Sequence, residues 1–478
     1  MVVRGVPNRL VKDAWWLDDA DPPKGLRAWP VLLVALVLAD WMIWGATPGL
    51  GLATWVFVVG VLVSAMLWWK AEWPKALRAW AILMLGLVPL LDVIQFTSVI
   101  FAILGLLAFT VLMAGAEWNS TAILRAMRRL PGYGIVQVAK DAFALRVSVP
   151  SKGSFQSMIF DWSLPLGVGC LFLILFAAAN PMVDRWLLDL SRFDTDFLPS
   201  VGRLIFWTTF AIIVWPLLRI ATMMPALIRA KPSSGCVWRS GFVNERSVFR
   251  ALVVFNVIFA LQTILDLGYL WGGAALPEGM TYAEYAHRGA YPLLATALLA
   301  GLFALLSQPY LGERGWLRWL LCIWVGQTVI LVISSILRLD LYVDVYGLTR
   351  LRFAAFVWMS VVALGLILMI MQMVGRESIG WFFQRAFGLG LVALYGCSLV
   401  NIDGLIARNN LADHRDGDFY VCELSEGAVP ALFAYEKAVG APLCHSRRPY
   451  VSQPNNWREW GYRNVRLRRS LAAMEDGQ

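Results

Sequence analysis

The feature that most constrains this chain is a series of apolar runs, each long enough to cross a lipid bilayer. They read 28–46, 50–69, 76–91, 93–115, 160–180, 203–227, 248–272, 289–307, 316–337, 351–374 and 379–400, about eleven spans in all. A hydrocarbon core of about 30 Å is crossed by about 20 apolar residues in helical conformation. Lipid offers the backbone no hydrogen-bond partners, so each run must satisfy its own peptide groups as helix. The expected fold is therefore all-α: a polytopic membrane helix bundle of about eleven transmembrane helices with a small C-terminal extramembrane tail. Composition agrees, since a chain of 478 residues that is 59% hydrophobic and only 15% charged has too little charge for a soluble protein of its size.

The stretch 76–115 is interrupted by Asp92 and Gln95. It far exceeds one crossing, so two short spans are expected there rather than one span and a re-entrant piece. The organisation read from the sequence is a charged N-terminal segment over 1–27, N-terminal transmembrane helices over 28–115 and a loop with an amphipathic helix over 116–158. A main transmembrane domain over 159–400 and a C-terminal tail over 401–478 follow. The first apolar run reads as a span and not as a cleavable leader.

The net charge of +9 does not point to nucleic acid, because the excess of Lys and Arg falls in alternate loops. The N-terminal segment, the loops near 70–78, 116–158, 228–247 and 308–315, and the turn at 375–378 are the basic ones. The positive-inside rule places these loops and the N-terminus in the cytoplasm, and an odd number of spans places the tail outside the cytoplasmic (inner) membrane. Cys422 and Cys444 both lie in the tail, and a pair confined to an oxidising compartment is expected to form a disulfide. Within 119–130 a basic amphipathic helix is expected on the anionic inner leaflet, opened by Ser120 or Thr121 and ended by Pro131-Gly132. In the tail, Ser425 is expected to cap a helix that stops near Gly440.

Polar side chains gather at the expected outer ends of the spans. Asp266 closes the seventh run, Glu284, His287 and Arg288 follow it, and Arg338, Asp340, Tyr342 and Asp344 sit in RLDLYVDVYGLTRLR, residues 338–352. Charges so close to a membrane core are costly and are usually paired or functional. If helical, Asp340 and Asp344 share one face, Gly347 breaks the helix and Thr349 caps the next. Together with Arg408 these residues form the candidate outward pocket. Three chemistries suit them: a carboxylate–histidine metal site, from Glu284 and His287 at i, i+3; general acid–base work on an outer-leaflet substrate; or an ion-pair network that fixes the loops. The sequence carries no Walker A loop, no GxSxG and no HExxH, and His414 and His445 stand isolated. No cofactor is expected.

Several pieces are similar to one known family. They are 268–273 (GYLWGG), 282–289 (YAEYAHRG), the Leu341-Tyr342 and Tyr346–Thr349 parts of 338–352, 401–410 (NIDGLIARNN), and Leu424-Ser425 with 428–432. This set resembles a bacterial multi-pass integral membrane family of unknown function, sometimes labelled permease-like, over roughly residues 240–435. The resemblance implies a membrane fold and no reaction. One departure bears on chemistry: where this chain has His287, the family more usually has arginine, which cannot ligate a metal. The metal reading falls accordingly, and no metal is expected. The arginines are then expected to meet an anionic group, a lipid headgroup or an envelope intermediate, in a transport or sensing component. A membrane transferase acting on a lipid-linked substrate and a structural subunit without ligand are the alternatives. The lipid bilayer is the partner that the spans imply, and no nucleic acid is expected.

Overall fold

The computed structural model describes residues 28–68, 72–116, 120–147, 180, 182, 200–228, 245–268, 282–308, 315–412, 419–444 and 448–476. Residues 160–179 of the expected span 160–180, the segment 1–27 and the histidines His414 and His445 lie outside the described residues, as do the side chains of Glu284, His287 and Arg288.

Among the described residues the secondary structure is helical throughout. The α-helices are α1 (Ala28–Ile43), α2 (Leu50–Leu67), α3 (Trp73–Asp92), α4 (Phe96–Met113), α5 (Ser120–Val147), α6 (Val201–Leu218), α7 (Ile220–Ile228), α8 (Glu245–Asp266) and α9 (Tyr282–Ser307). They continue with α10 (Gly315–Tyr346), α11 (Arg350–Val374), α12 (Ile379–Leu399), α13 (Ile402–Ala412), α14 (Val429–Val439) and α15 (Tyr462–Asp476). Eight of these, α2, α3, α4, α6, α8, α10, α11 and α12, are long and apolar enough to cross a membrane. Two shorter apolar helices fall where further spans were expected, Ala28–Ile43 and the Ala295–Ser307 part of α9. The chain is thus a multi-pass membrane protein. Their outward faces carry large apolar side chains such as Leu33, Val37, Ile264, Leu299, Trp319 and Val392. Lipid, not water, is the solvent that makes such a surface stable.

The interrupted stretch resolves into two helices, α3 and α4, separated at Val93–Gln95. Two expectations are corrected. Helix α5 does not stop at Pro131-Gly132 but runs through Pro131 to Val147. Proline removes one backbone donor without ending a helix whose neighbours still hold it, and Asp141, ten residues on, anchors the extension. The run 203–227 is not one straight span either: α6 ends at Leu218 and α7 begins at Ile220, with Arg219 outside helical geometry (φ −97°, ψ 11°) and Pro216 just before it.

The chain divides into two compact units. The first comprises Met1–Leu91, Val99–Lys231 and Asn456–Glu459. In it α3 and α4 approach closely at Gly86 and Gly105. A Cβ on Gly86 would stand 2.7 Å from the Phe101 carbonyl oxygen and 3.0 Å from Cα of Gly105, so only glycine permits this contact. Two acidic groups anchor the unit's helices. Asp40 of α1 accepts from Arg203 Nε of α6 at 2.7 Å and from Trp207 Nε1 at 2.9 Å. Asp141 of α5 accepts from Trp215 Nε1 at 2.9 Å and pairs with Arg219 at 3.3 Å. Arg458 Nη1 donates to the carbonyls of Trp41 (2.9 Å) and Trp44 (3.2 Å), which satisfies acceptors left open at the C-terminal end of α1.

The second unit comprises Asp92–Ser98, Pro232–Asn455 and Trp460–Gln478. Its core joins α8–α12 to the tail helices through Leu252, Leu321, Trp324, Val332, Met369, Ile406, Val421 and Leu432. Phe255, Phe259 and Phe303 pack around the Trp324 ring with centroids 5.1–5.6 Å apart. Apart from Asn456–Glu459, the described tail residues belong to this unit. Cys422 and Cys444 are bonded to each other with Cα atoms 5.7 Å apart, and Lys437 of α14 donates to the Met474 carbonyl of α15 at 2.9 Å.

Candidate functional site

Helix α10 has 32 residues, about 48 Å at 1.5 Å per residue, which is well beyond a hydrocarbon core of about 30 Å. The first half of the polar stretch 338–352 is therefore a helical continuation of a span. It ends at Tyr346, where Gly347 takes φ 77°, a left-handed conformation open to glycine without strain. Thr349 then caps α11 by accepting from Arg352 N–H at 3.3 Å. Arg352 reaches back over the Tyr342 ring (4.6 Å) and donates through Nη1 to the Tyr346 carbonyl at 2.8 Å and to the Gly347 carbonyl. The motif is thus a self-contained reversal between two long helices.

Of the nine candidate residues, six have described side chains, and these six do not form one cluster. Arg338 and Asp266 meet as an ion pair between α10 and α8, 4% and 1% exposed respectively, and Gln262 Nε2 donates to the same Asp266 oxygen at 2.8 Å. Asp340 and Asp344 lie on one helical face, and that face is exposed. Tyr342 is half-buried beneath Arg352 and beside Tyr346, with ring centroids 4.6 Å apart. Arg408 is exposed on α13 and does not reach back to the other candidates. Glu284, His287 and Arg288 fall on the first turns of α9. Ser425 precedes a short 3-10 turn without a side-chain capping bond. Its backbone N–H donates to Asp403 instead, at 2.8 Å.

What the second unit does contain is a cavity of about 900 Å³. One wall is the N-terminal half of α11, with Phe353, Ala354, Val357, Trp358 and Val361, and the facing wall is α12, with Gly390, Ala393, Leu394 and Cys397. The far end is polar. Arg350, Asp403, Glu426, Gln95 and Arg463 line it. These residues come from five separate chain segments, and each is held in place by a neighbour. Arg350 donates through Nε (2.7 Å) and Nη2 (2.5 Å) to the two oxygens of Asp403. Arg463, only 7% exposed, donates through Nε (2.9 Å) and Nη2 (2.5 Å) to Asp92, and through Nη2 to the Ser398 carbonyl at 3.2 Å. Gln95 Nε2 donates to the same carbonyl at 3.0 Å. Glu426 accepts from Asn464 Nδ2 at 3.3 Å.

Burial would raise the pKa of Asp403, but the bonds from Arg350, the bonds from Ser425 and the nearby Arg350 charge outweigh it, and the carboxyl lies below its ordinary value. It is ionised at neutral pH. Among the described residues, no hydrogen bond engages Nη1 of Arg350, Nη1 of Arg463, Oε1 of Gln95 or Oε1 of Glu426. The polar end therefore keeps both donors and acceptors for a guest.

Sequence reasoning reached Asp92 and Gln95 only as a break between spans and Asp403 only as part of the 401–410 family piece, and did not reach Arg350 or Arg463 as site residues. A signal was present. A lone acidic residue at the end of an apolar run needs a cationic partner, and Asp40, Asp92 and Asp403 each have an arginine.

Comparison with known proteins gives one match. A family model described as a domain of unknown function, DUF4153, matches residues 55–435. No curated protein matches, and no solved structure does.

Proposed function

We propose that this chain, which belongs to the DUF4153 family, a domain of unknown function, is a transport or sensing component of the cytoplasmic membrane that binds an amphiphile of the lipid type. One observation carries the reading: a 900 Å³ cavity whose walls are two membrane-crossing helices and whose far end is a cap of charged and amide side chains where those helices end. An amphiphile has the same division, hydrocarbon at one end and a hydrogen-bonding head at the other. Pockets of about 300–1,000 Å³ with a mostly apolar lining and a few fixed polar groups are the usual form of small-ligand sites. The arginines supply the donors for a phosphate or carboxylate. The Asp266–Arg338 pair, with Gln262 on it, belongs to the framework that holds α8 to α10.

Native mass spectrometry of the protein extracted gently from its own membrane tests the reading. About one lipid per chain is expected to remain bound, and Gly390→Trp is expected to remove it. A Cβ on Gly390 meets open space, so the indole fills the cavity without displacing a packed neighbour. A lipid-free wild-type protein, or one whose retained lipid ignores the Gly390 change, would sink the proposal.

The same reading puts the tail on the outer side. The Cys422–Cys444 bond suits an oxidising compartment. Alkaline phosphatase fused after residue 420 is expected to be active, and a silent fusion would reverse the orientation.

A further inference from the structure

Resting on the amphiphile reading above, we infer that the head group this cavity takes is a zwitterion carrying a phosphate and a primary ammonium, and not a simple anion. Charge and unused hydrogen-bonding capacity at the polar end both favour such a head group. Two cationic side chains, Arg350 and Arg463, are set at the polar end against three anionic ones: Asp403 and Glu426 in the lining, and Asp92 holding Arg463 from behind. The end therefore carries an excess of negative charge before any ligand arrives. A bare anion would enlarge that excess in a site where Arg463 is only 7% exposed and the dielectric is low. A zwitterion leaves the balance as it stands.

The free valences are of both kinds. The Nη1 groups of Arg350 and Arg463 donate, as a phosphate requires. Oε1 of Gln95 and Oε1 of Glu426 accept, as an ammonium with N–H bonds requires. A carboxylate at Glu426 is of no use to an anionic lipid and is unfavourable to it. Its direct partner among the described residues is the Asn464 amide at 3.3 Å, so its charge is available to a guest. A quaternary ammonium has the charge but no N–H to donate, and a polyol head has the hydroxyls but no positive charge. The primary ammonium meets both demands.

The experiment uses the full chain reconstituted in vesicles of equal parts phosphatidylethanolamine, phosphatidylcholine and phosphatidylglycerol, extracted gently and read by native mass spectrometry. Retained phosphatidylethanolamine is expected to exceed each of the other two at least fivefold. Glu426→Gln keeps shape and the Asn464 bond, and is expected to cut the ethanolamine-to-glycerol ratio at least fivefold while total lipid retained stays near one. Preference for phosphatidylglycerol in the wild type, equal retention of the choline lipid, or a ratio indifferent to Glu426→Gln would each overturn the inference. These outcomes differ from failure of the underlying reading, in which no lipid is retained at all or Gly390→Trp changes nothing. If the tryptophan variant does not fold, Gly390→Leu serves as the smaller plug.

Discussion

The side-chain amide of Asn410 pairs with the backbone of Leu348 on both sides: Oδ1 accepts from its N–H at 2.7 Å and Nδ2 donates to its carbonyl at 3.0 Å. The amide thus substitutes for a neighbouring backbone at a place where the chain turns between α10 and α11 and no helix can satisfy those groups. Both residues are buried. Gly347 completes the fit, since a Cβ there would stand 3.2 Å from Asn410 Oδ1 in addition to the positive φ.

Loss of that clamp should be felt strongly. Asn410→Ala orphans a buried N–H and a buried carbonyl, at about 1–3 kcal/mol for each. Asn410→Asp keeps the acceptor and loses the donor, and should fall between. Thermal unfolding of the detergent-solubilised protein checks both. Equal stability of Asn410→Ala and wild type would show that the turn is held otherwise.

A pH-dependent prediction attaches to Asp403. Its folded pKa is below the ordinary 3.8, so between the two values the unfolded chain binds the proton more readily than the folded one. Its stabilisation is complete above the unfolded value and is lost as pH falls through the folded one. Asp403→Asn should therefore cost about 1–2 kcal/mol at neutral pH, at the lower end of charged hydrogen bonds because Arg350 is half exposed to solvent. The gap between variant and wild type should close on acidification below about pH 4. A gap that persists at low pH would argue against the ion pair as its source.

Asp266 and Arg338 make a different case, since neither has access to solvent. Removing one partner strands the other's charge, and Arg338→Met alone should cost about 3–5 kcal/mol. Replacing both, with Asp266→Leu added, should recover most of that loss. Unfolding midpoints of the two single variants and the double variant form the cycle that measures it.

Reducing the Cys422–Cys444 bond opens a loop between residues 22 apart in sequence, worth about 3 kcal/mol in loop-closure terms. The double change to Ala should loosen the tail first, because Val421, Leu424 and Leu432 pack around it while the spans are held by lipid and by each other. Proteolysis within the tail, compared with cleavage elsewhere, reads this out. Unchanged protection of the tail would show that apolar packing alone keeps it folded.

The amino-acid sequence by itself determined the class of fold. Bilayer-length apolar runs admit helix and nothing else, because the backbone must bond within its own segment; the turn at Gly347 and the Thr349 cap were equally local, since they depend on φ and on a hydroxyl three residues from an open N–H. Only the tertiary structure decided the site. Arg350, Asp403, Glu426, Gln95 and Arg463 lie in five segments, and Arg463 is 371 residues from the Asp92 it holds. Charge attracts charge irrespective of sequence distance, so a row of arginines and aspartates announces that pairs will form without saying which. The stretch 338–352 looked like a pocket because its charges are dense; packing spent one on Asp266, faced two toward solvent and turned Arg352 onto its own helix end. Of the three arginines in that stretch only Arg350 lines the cavity, at the start of α11 and beside the end of α12.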